Sequence, residues 1–199
     1  TPKRVIQLGF MVSLIGLLIL ILLLNTDSTR LILAPGLFIY GIGLGFGFSQ
    51  LNNLTLSAVS VEQSGEASGV SNTLRQVGSS FGSAIIGAAL IATLTSSIIS
   101  GIQSSQVIPI SAKDPIIEEV KAAGSNIEFV SPTSSTNTPQ VITTEVTNLT
   151  HQATVKGNRL ALVLTSLFTL IALVSSGLLP NIRDLETGKP ALENIDTRH

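Results

Sequence analysis

Long stretches with little or no charge are the feature that most constrains the fold of this chain. Val5 to Leu24 and residues 31–59 carry no charge, and residues 74–99 and 159–180 each carry a single arginine at or next to the first position. About twenty helical residues cross a hydrocarbon core of about 30 Å. Backbone groups in lipid must be hydrogen-bonded within the segment, and these stretches lack the alternation of a barrel strand. The sequence therefore predicts an all-α membrane protein with four transmembrane helices, at about 5–24, 31–59, 74–99 and 159–180.

Polar segments connect and follow the predicted helices. Residues 60–73 are interpreted as a short loop that includes a helix start, residues 101–158 as a Ser- and Thr-rich insert, and residues 181–199 as a solvated tail. Two short helices are expected in the insert. One would begin with a cap at Asp114 and Pro115 and end at Gly124. The other would begin near residues 138–139, because four apolar residues recur there at helical spacing on one face: Ile142, Val146, Leu149 and Ala153.

Composition narrows the function classes. Only 12% of the residues are charged and the net charge is −1, so no basic surface favours nucleic acid. The chain has no cysteine, and its two histidines lie far apart in polar segments. No metal site or cofactor is therefore expected, no nucleotide-binding G-x-x-x-x-G-K-[ST] loop is present, and no enzymatic activity is predicted.

Topology follows from the number of spans. Four spans place both termini on one side, and the distribution of Lys and Arg favours a cytoplasmic location for them. The loop 60–73 and the tail 181–199 would then be cytoplasmic, and the insert 101–158 extracytoplasmic. The chain is expected to lie in the cell membrane, with the lipid bilayer as its main partner. Because it opens with Thr-Pro-Lys-Arg rather than Met, we interpret it as a fragment of a longer protein.

Glycines recur at helical spacing in the second and third spans. In lipid, small residues let two helix backbones approach closely. Simple helix packing is favoured over a hinge role, and Gly45→Leu is expected to block that packing. The helix-packing candidates are Gly41, Gly43, Gly45, Gly47, Gly78 and Gly82.

Uncharged polar side chains form two groups on the same spans. Amides are costly against lipid, so they are expected to face another helix or a water-filled cavity. Interhelical hydrogen bonding and cavity lining stay open as alternatives. The substrate-cavity candidates are Gln50, Asn52, Asn53, Asn72, Gln76, Ser79 and Ser83.

Arg75 is the one charged residue near the start of the third span. Its guanidinium could reach the lipid headgroups or pair with Glu62 or Glu66, and either contact would anchor the loop. No Asp, Glu, Lys or His lies inside a predicted span, although a proton-coupled pump needs a titratable group there. Any coupling residue is therefore expected outside this chain.

The ordered sequence from Glu62 to Gly82, preceded by the glycine run from Gly41 to Gly47, resembles a known family. It is similar to the fourteen-helix drug:proton antiporter branch of the major facilitator superfamily (EmrB/QacA type), in which a glycine-rich span precedes a cytoplasmic loop of the form G-x-A-S-G-x-x-N-x-x-R-Q-x-G-x-x-x-G. The residues matching this loop motif are Gly65, Ala67, Ser68, Gly69, Asn72, Arg75, Gln76, Gly78 and Gly82.

The stretch from His151 to Leu162 resembles the lead-in to the last helix of that family. The resemblance implies that the four helices form part of the C-terminal bundle of a major facilitator fold. It also implies efflux of drugs or other hydrophobic or cationic small molecules, driven by protons through the missing N-terminal part. Two alternatives are a multi-span sensor with a ligand-binding insert and a nutrient or metabolite facilitator.

Overall fold

The structure, a computed structural model, describes residues 2–26, 30–125 and 140–179. Every regular element in these ranges is a helix, which confirms the predicted all-α class. Single 3-10 turns lie at Val61–Gln63 and Ser176–Leu178. The predicted tail 181–199 and the start of the second insert helix at 138–139 lie outside the described residues. The α-helices are α1 (Pro2–Leu23), α2 (Arg30–Ser57), α3 (Ser64–Ser104), α4 (Ile110–Ser125) and α5 (Gln140–Ser175).

Four of the helices are long and apolar enough to cross a membrane. They overlap the four predicted spans, although α1, α2 and α5 end one to five residues before the predicted ends. α1 has 22 residues and α2 has 28, close to the length that a bilayer requires. α3 has 41 residues and α5 has 36, so their lengths are about 60 Å and about 54 Å. Both exceed a hydrocarbon core of about 30 Å and must continue beyond it.

The predicted loop 60–73 is wrong for most of its length. α3 begins at Ser64, so residues 64–73 are its first turns and the connection to α2 is short. Glu66 lies in the first turn, where a carboxylate interacts favourably with the helix dipole. The hydroxyl of Ser64 donates to the carbonyl of Val61 at 2.7 Å. Two glycines in this segment lower helix propensity without ending the helix.

The predicted insert is also more regular than expected. Residues 140–158 are not a separate short helix, because α5 continues without a break to Ser175. α4 begins at Ile110, before the expected cap at Asp114, and ends at Ser125, next to the predicted stop at Gly124. Pro115 lies within α4. It is close enough to the helix start that its missing N–H removes only one internal hydrogen bond.

The chain divides into two compact units. The first comprises α1, α2, α3 up to Gly82 and α5 from Leu164 onward, and the second is built from residues 83–163. In the first unit, α1 and α2 pack face to face with very small residues at the contact. A Cβ added to Gly16 would lie 2.5 Å from the backbone nitrogen of Tyr40, and one added to Gly9 would lie 2.8 Å from the carbonyl oxygen of Gly43. The two backbones therefore approach too closely for larger residues.

A buried hydroxyl and two large apolar side chains complete the α1 face. Ser13 is fully buried and donates a hydrogen bond to the carbonyl oxygen of Tyr40 at 3.4 Å. Ile6 and Leu17 have 0% and 1% of their surface exposed. The buried positions recur every three or four residues, which is the spacing of one helix face.

Lys3 connects the beginning of α1 to the end of α5 in the same unit. Its ammonium donates to the carbonyl oxygen of Gly177 at 2.6 Å. Carbonyls at the end of a helix lack intrahelical partners, and a lysine can satisfy them. The neighbouring Ser176 is buried and donates to the carbonyl of Leu173 at 2.6 Å. The beginning of α1 thus lies at the same end of the unit as the end of α5.

The second unit has an apolar core of its own. α3, α4 and α5 contribute to it, together with the turn between α3 and α4. The face predicted for the second insert helix is confirmed, because Ile142 and Ala153 are buried in this core and Val146 and Leu149 pack against it. The buried members are Ile98, Ile102, Ile108, Ile117, Ile142 and Ala153.

Close packing and polar contacts fix the helices of the second unit. A Cβ on Gly101 would lie 2.7 Å from Leu149 Cδ2. Ser105 Oγ donates to the carboxylate of Glu145 at 3.0 Å and accepts from the backbone N–H of Val107 at 3.2 Å. The turn that ends α3 is therefore tied to α5 by a side chain.

Candidate functional site

A small polar cavity lies where the last turns of α2 face the first turns of α3. Its volume is about 190 Å³. Each helix contributes residues three or four positions apart, which places them on one face. Polar side chains predominate, and the single large apolar contribution is Leu56. The lining residues are Asn52, Thr55, Leu56, Ser68, Ser71 and Asn72.

Arg75 bridges the two helices beside this cavity. Its Nη2 donates to Asn52 Oδ1 at 2.7 Å, and its guanidinium carbon lies 5.3 Å from the centre of the Phe48 ring. Phe48 and Asn52 are four residues apart and share one face of α2. The cation therefore contacts an amide and an aromatic face at once, and it joins α3 to α2.

Of the predicted partners of Arg75, the two carboxylates are wrong, whereas contact with the lipid headgroups stays a prediction. Among the residues that the structure describes, the guanidinium forms no ion pair with Glu62 or Glu66, and the one ion pair found there is Lys121–Glu118 in α4. The reason is helical geometry, since residues 64–75 belong to α3. Nine residues of helix separate Arg75 from Glu66 by about 14 Å along the axis.

A larger, open pocket adjoins the polar cavity and shares Thr55 and Ser71 with it. Its volume is about 520 Å³. It contains the carboxylate of Glu66 and several apolar side chains. The two pockets together are called the α2–α3 groove below. The larger pocket is lined by Thr55, Val59, Gln63, Glu66, Ala67, Val70, Ser71 and Leu74.

The structure brings only some of the predicted cavity residues together. Asn52 and Asn72 meet in the polar cavity, with Ser68 from the loop motif, and Ala67 lines the larger pocket. The remaining cavity candidates, which line neither pocket, are Gln50, Asn53, Gln76, Ser79 and Ser83. Contact of any of these residues with substrate stays a prediction.

Three lining residues of the polar cavity were missed by the sequence analysis. Thr55 lies three residues after Asn52, and Ser71 precedes Asn72 and follows Ser68 by three. Their helical spacing to predicted residues was the available signal. It could not be used for α3, because residues 64–73 were interpreted as a loop. Leu56 had no polar signal at all.

The predicted packing glycines also fall into two groups, those that lie against another helix and those that do not. Gly43 and Gly47 lie against α1, as a packing role requires. A Cβ on Gly41, Gly45, Gly78 or Gly82 would meet no atom within 4 Å, and the same holds for Gly65 and Gly69 of the loop motif. An added Cβ at Gly45 thus meets no neighbouring helix in the described part of the chain, and a packing role for Gly45 stays a prediction.

Three glycines that pack at the α1–α2 contact were not predicted from the sequence. Gly9 and Gly16 of α1 and Gly36 of α2 all lie at the helix contact. In α1 the small residues Gly9, Ser13 and Gly16 follow one another at spacings of four and three. This pattern, within an otherwise large and apolar span, could have identified the α1 face from the sequence.

Comparison with known proteins covers the part of the chain that contains the α1–α2 contact and the groove. Residues 1–83 match the family model of the Major Facilitator Superfamily. A probable actinorhodin transporter from Streptomyces coelicolor is 30% identical over 88 residues, which is 43% of this chain and 15% of that protein. No solved structure matches the chain. Residues 1–83 are therefore similar to the Major Facilitator Superfamily, and the matched relative carries the name of a probable transporter.

Proposed function

We propose that this chain is a C-terminal portion of a secondary transporter that exports drugs or other hydrophobic or cationic small molecules in exchange for protons. Its place is among the last helices of the fourteen-helix antiporter branch. The chain spans only 15% of the length of the relative it matches. The coupling carboxylates belong to parts of the protein outside this chain, as no Asp or Glu lies within a predicted span.

The match of residues 1–83 to the Major Facilitator Superfamily is the observation that carries this proposal. That stretch includes α1, α2 and the first half of α3. The relative's name as a probable transporter of actinorhodin supports a small-molecule substrate. Four membrane-length apolar helices support a bilayer location.

The proposed orientation places both termini in the cytoplasm and residues 101–158 outside the cell membrane. The hydrogen bond from Lys3 to the carbonyl of Gly177 supports a common side for the two ends, because it joins the start of α1 to the end of α5. Lys3 and Arg4 lie at this end, as cytoplasmic positive charge requires. The groove is then near the cytoplasmic face.

A transport assay tests the function. The complete gene product containing this chain is expressed in cells that lack their main efflux pumps, and ethidium accumulation is measured with and without a protonophore. We expect lower accumulation, and its reversal by the protonophore. In inverted vesicles, adding the dye should dissipate a preformed proton gradient. No change in either assay contradicts proton-coupled efflux.

The same assays separate the two alternatives. A nutrient or metabolite facilitator would leave ethidium accumulation unchanged and would equilibrate its solute without a proton gradient. A sensor would show no solute-dependent flux of either kind. Ethidium accumulation falls only when the protein exports the dye, which neither the facilitator nor the sensor would do.

A further inference from the structure

We propose that the α2–α3 groove is a binding site for amphipathic cations that carry a hydrogen-bond-accepting oxygen, and that Arg75 is a positioning residue that orients Asn52 toward that oxygen. This inference rests on the proposed function and adds a location and a ligand chemistry to it. It uses only contacts within the first unit of the chain.

The contact between Arg75 and Asn52 fixes which way the amide faces. A guanidinium carries only donors, so the atom of Asn52 that faces it is the carbonyl oxygen, at 2.7 Å. The amide nitrogen is then turned away from Arg75, with its two hydrogens available to an acceptor. Stacking on Phe48 holds the guanidinium in place and so holds the amide orientation.

Hydroxyl groups add further donors to the polar cavity. Ser68 and Ser71 line it beside the amides of Asn52 and Asn72. Thr55 already donates to the carbonyl of Leu51 at 2.9 Å, so its oxygen can only accept. The amide and serine groups of the cavity therefore offer several donors, whereas the donor of Thr55 is already used. These donors favour a ligand oxygen such as a carbonyl.

The size of the polar cavity shows that it holds only one end of a ligand. Its volume of about 190 Å³ is below the range of about 300–1,000 Å³ typical of sites for whole drug-sized molecules. The adjoining pocket of about 520 Å³ has room for an apolar body. Val59, Val70 and Leu74 line that pocket.

Glu66 gives the larger pocket its charge preference. Glu66 is the one ionisable residue that lines either pocket, and it lines only the larger one. An organic ammonium in the larger pocket would be attracted by its carboxylate, while the oxygen end faces Asn52. The groove thus combines the donors of the polar cavity with the apolar side chains and the carboxylate of the larger pocket.

Equilibrium binding of two probes tests the site. The protein, at its complete natural length in nanodiscs, is titrated with doxorubicin, which carries ring carbonyls and an amine, and with tetraphenylphosphonium, a cation without oxygen. Asn52→Ala should raise the Kd for doxorubicin about five- to tenfold, the effect of losing one hydrogen bond to the ligand. It should leave the Kd for tetraphenylphosphonium unchanged. Glu66→Gln should weaken both.

Arg75 is tested through its dependence on Asn52. Arg75→Ala should raise the doxorubicin Kd by about the same factor as Asn52→Ala, and the double variant should be no weaker than either single one. Arg75→Lys, which can still donate to the amide oxygen, should recover part of the affinity. Asn148→Ala, which removes an exposed amide from α5, is the matched control and should bind both probes normally.

Several results would overturn the inference. Wild-type protein that does not bind doxorubicin excludes the site, and equal losses for both probes on Asn52→Ala exclude recognition of an oxygen. Additive effects of Arg75→Ala and Asn52→Ala exclude the positioning role. Transport is scored separately: the expected binding pattern in a protein that moves neither probe supports the site and contradicts efflux, whereas efflux with unchanged binding in every variant contradicts the site.

Discussion

α2 contacts its two sequence neighbours in opposite ways. Toward α1 it presents Gly36, Gly43 and Gly47, and the two backbones approach so closely that a Cβ at Gly43 would collide with Ser13. Toward the beginning of α3 it presents Asn52 and Thr55, and open space remains between the helices. One helix thus forms both a closed contact and an open groove, because different residue types occur at different positions along its length.

The difference follows from what each residue type can contribute in a membrane. Glycines at a helix contact add van der Waals attraction over the backbone, since lipid gives apolar side chains no reason to leave it. Amides and hydroxyls are costly in the same surroundings unless they have partners or water. A contact built from glycines is therefore stable and tight. A contact built from polar groups keeps an open volume that a ligand can enter.

Replacing Gly43 with leucine should have the largest effect, because it attacks the closed contact. The first added carbon would overlap the backbone and hydroxyl of Ser13 and lie 2.6 Å from the carbonyl oxygen of Gly9. Backbone atoms cannot yield as a flexible side chain can, so we expect a loss of about 3 kcal/mol or more. The measurement is the thermal unfolding of the detergent-solubilised chain, with an expected fall in Tm of about 10 °C or failure to fold.

Gly45→Leu is the matched control, with the same substitution two residues further along α2. A Cβ added there would meet nothing within 4 Å in the described residues. We expect a Tm within about 2 °C of wild type, in the range of ordinary surface substitutions. A large fall for Gly45→Leu with normal stability of Gly43→Leu would reverse the assignment of the two helix faces.

Arg75→Ala should have an intermediate effect, because it removes a bridge across the open groove. The hydrogen bond to Asn52 and the stacking on Phe48 are both exposed, so together they contribute about 1–2 kcal/mol. We expect Tm to fall by about 3–6 °C. Glu66→Gln, which alters the groove without touching the bridge and removes only one interaction with the helix dipole, should lower Tm by no more than about 2 °C. Equal losses for the two variants would show that Arg75 does not join the helices.

The sequence was sufficient for the spans and for part of the packing. Length without charge located all four membrane helices, and spacing alone identified the core face from Ile142 to Ala153. Neither span length nor apolar spacing predicted that α3 and α5 each continue without a break. Residues 64–73 are polar helix whose glycines and serines resemble a loop, and residues 140–158, predicted as a separate helix, carry no apolar length that joins them to the last span.

The partners of polar side chains were even harder to predict from the sequence. Sequence proximity and opposite charge suggested that Arg75 pairs with Glu62 or Glu66, but nine residues of α3 separate Arg75 from Glu66, and Glu62 lies in the turn before α3 begins. The actual partner, Asn52, lies 23 positions earlier on another helix. Such a contact depends on how α2 and α3 are placed in space, which no local pattern encodes. For the same reason, Asn52 and Asn72 were predicted individually, but their meeting in one cavity was not.

Ser13→Ala should have the smallest effect and shows what holds the closed contact together. Ser13 is fully buried, yet its bond to the carbonyl of Tyr40 is long at 3.4 Å, and that carbonyl lies within a continuous helix. Alanine keeps the small volume that Gly43 requires and removes only the hydroxyl, so we expect a loss of at most about 1 kcal/mol. Tm should fall by no more than about 4 °C. Ser13→Val, which adds bulk at the same position, should be far more damaging if steric fit is decisive, because its extra methyl groups point at the α2 backbone. Equal losses for alanine and valine would instead assign the stability of the α1–α2 contact to the hydroxyl.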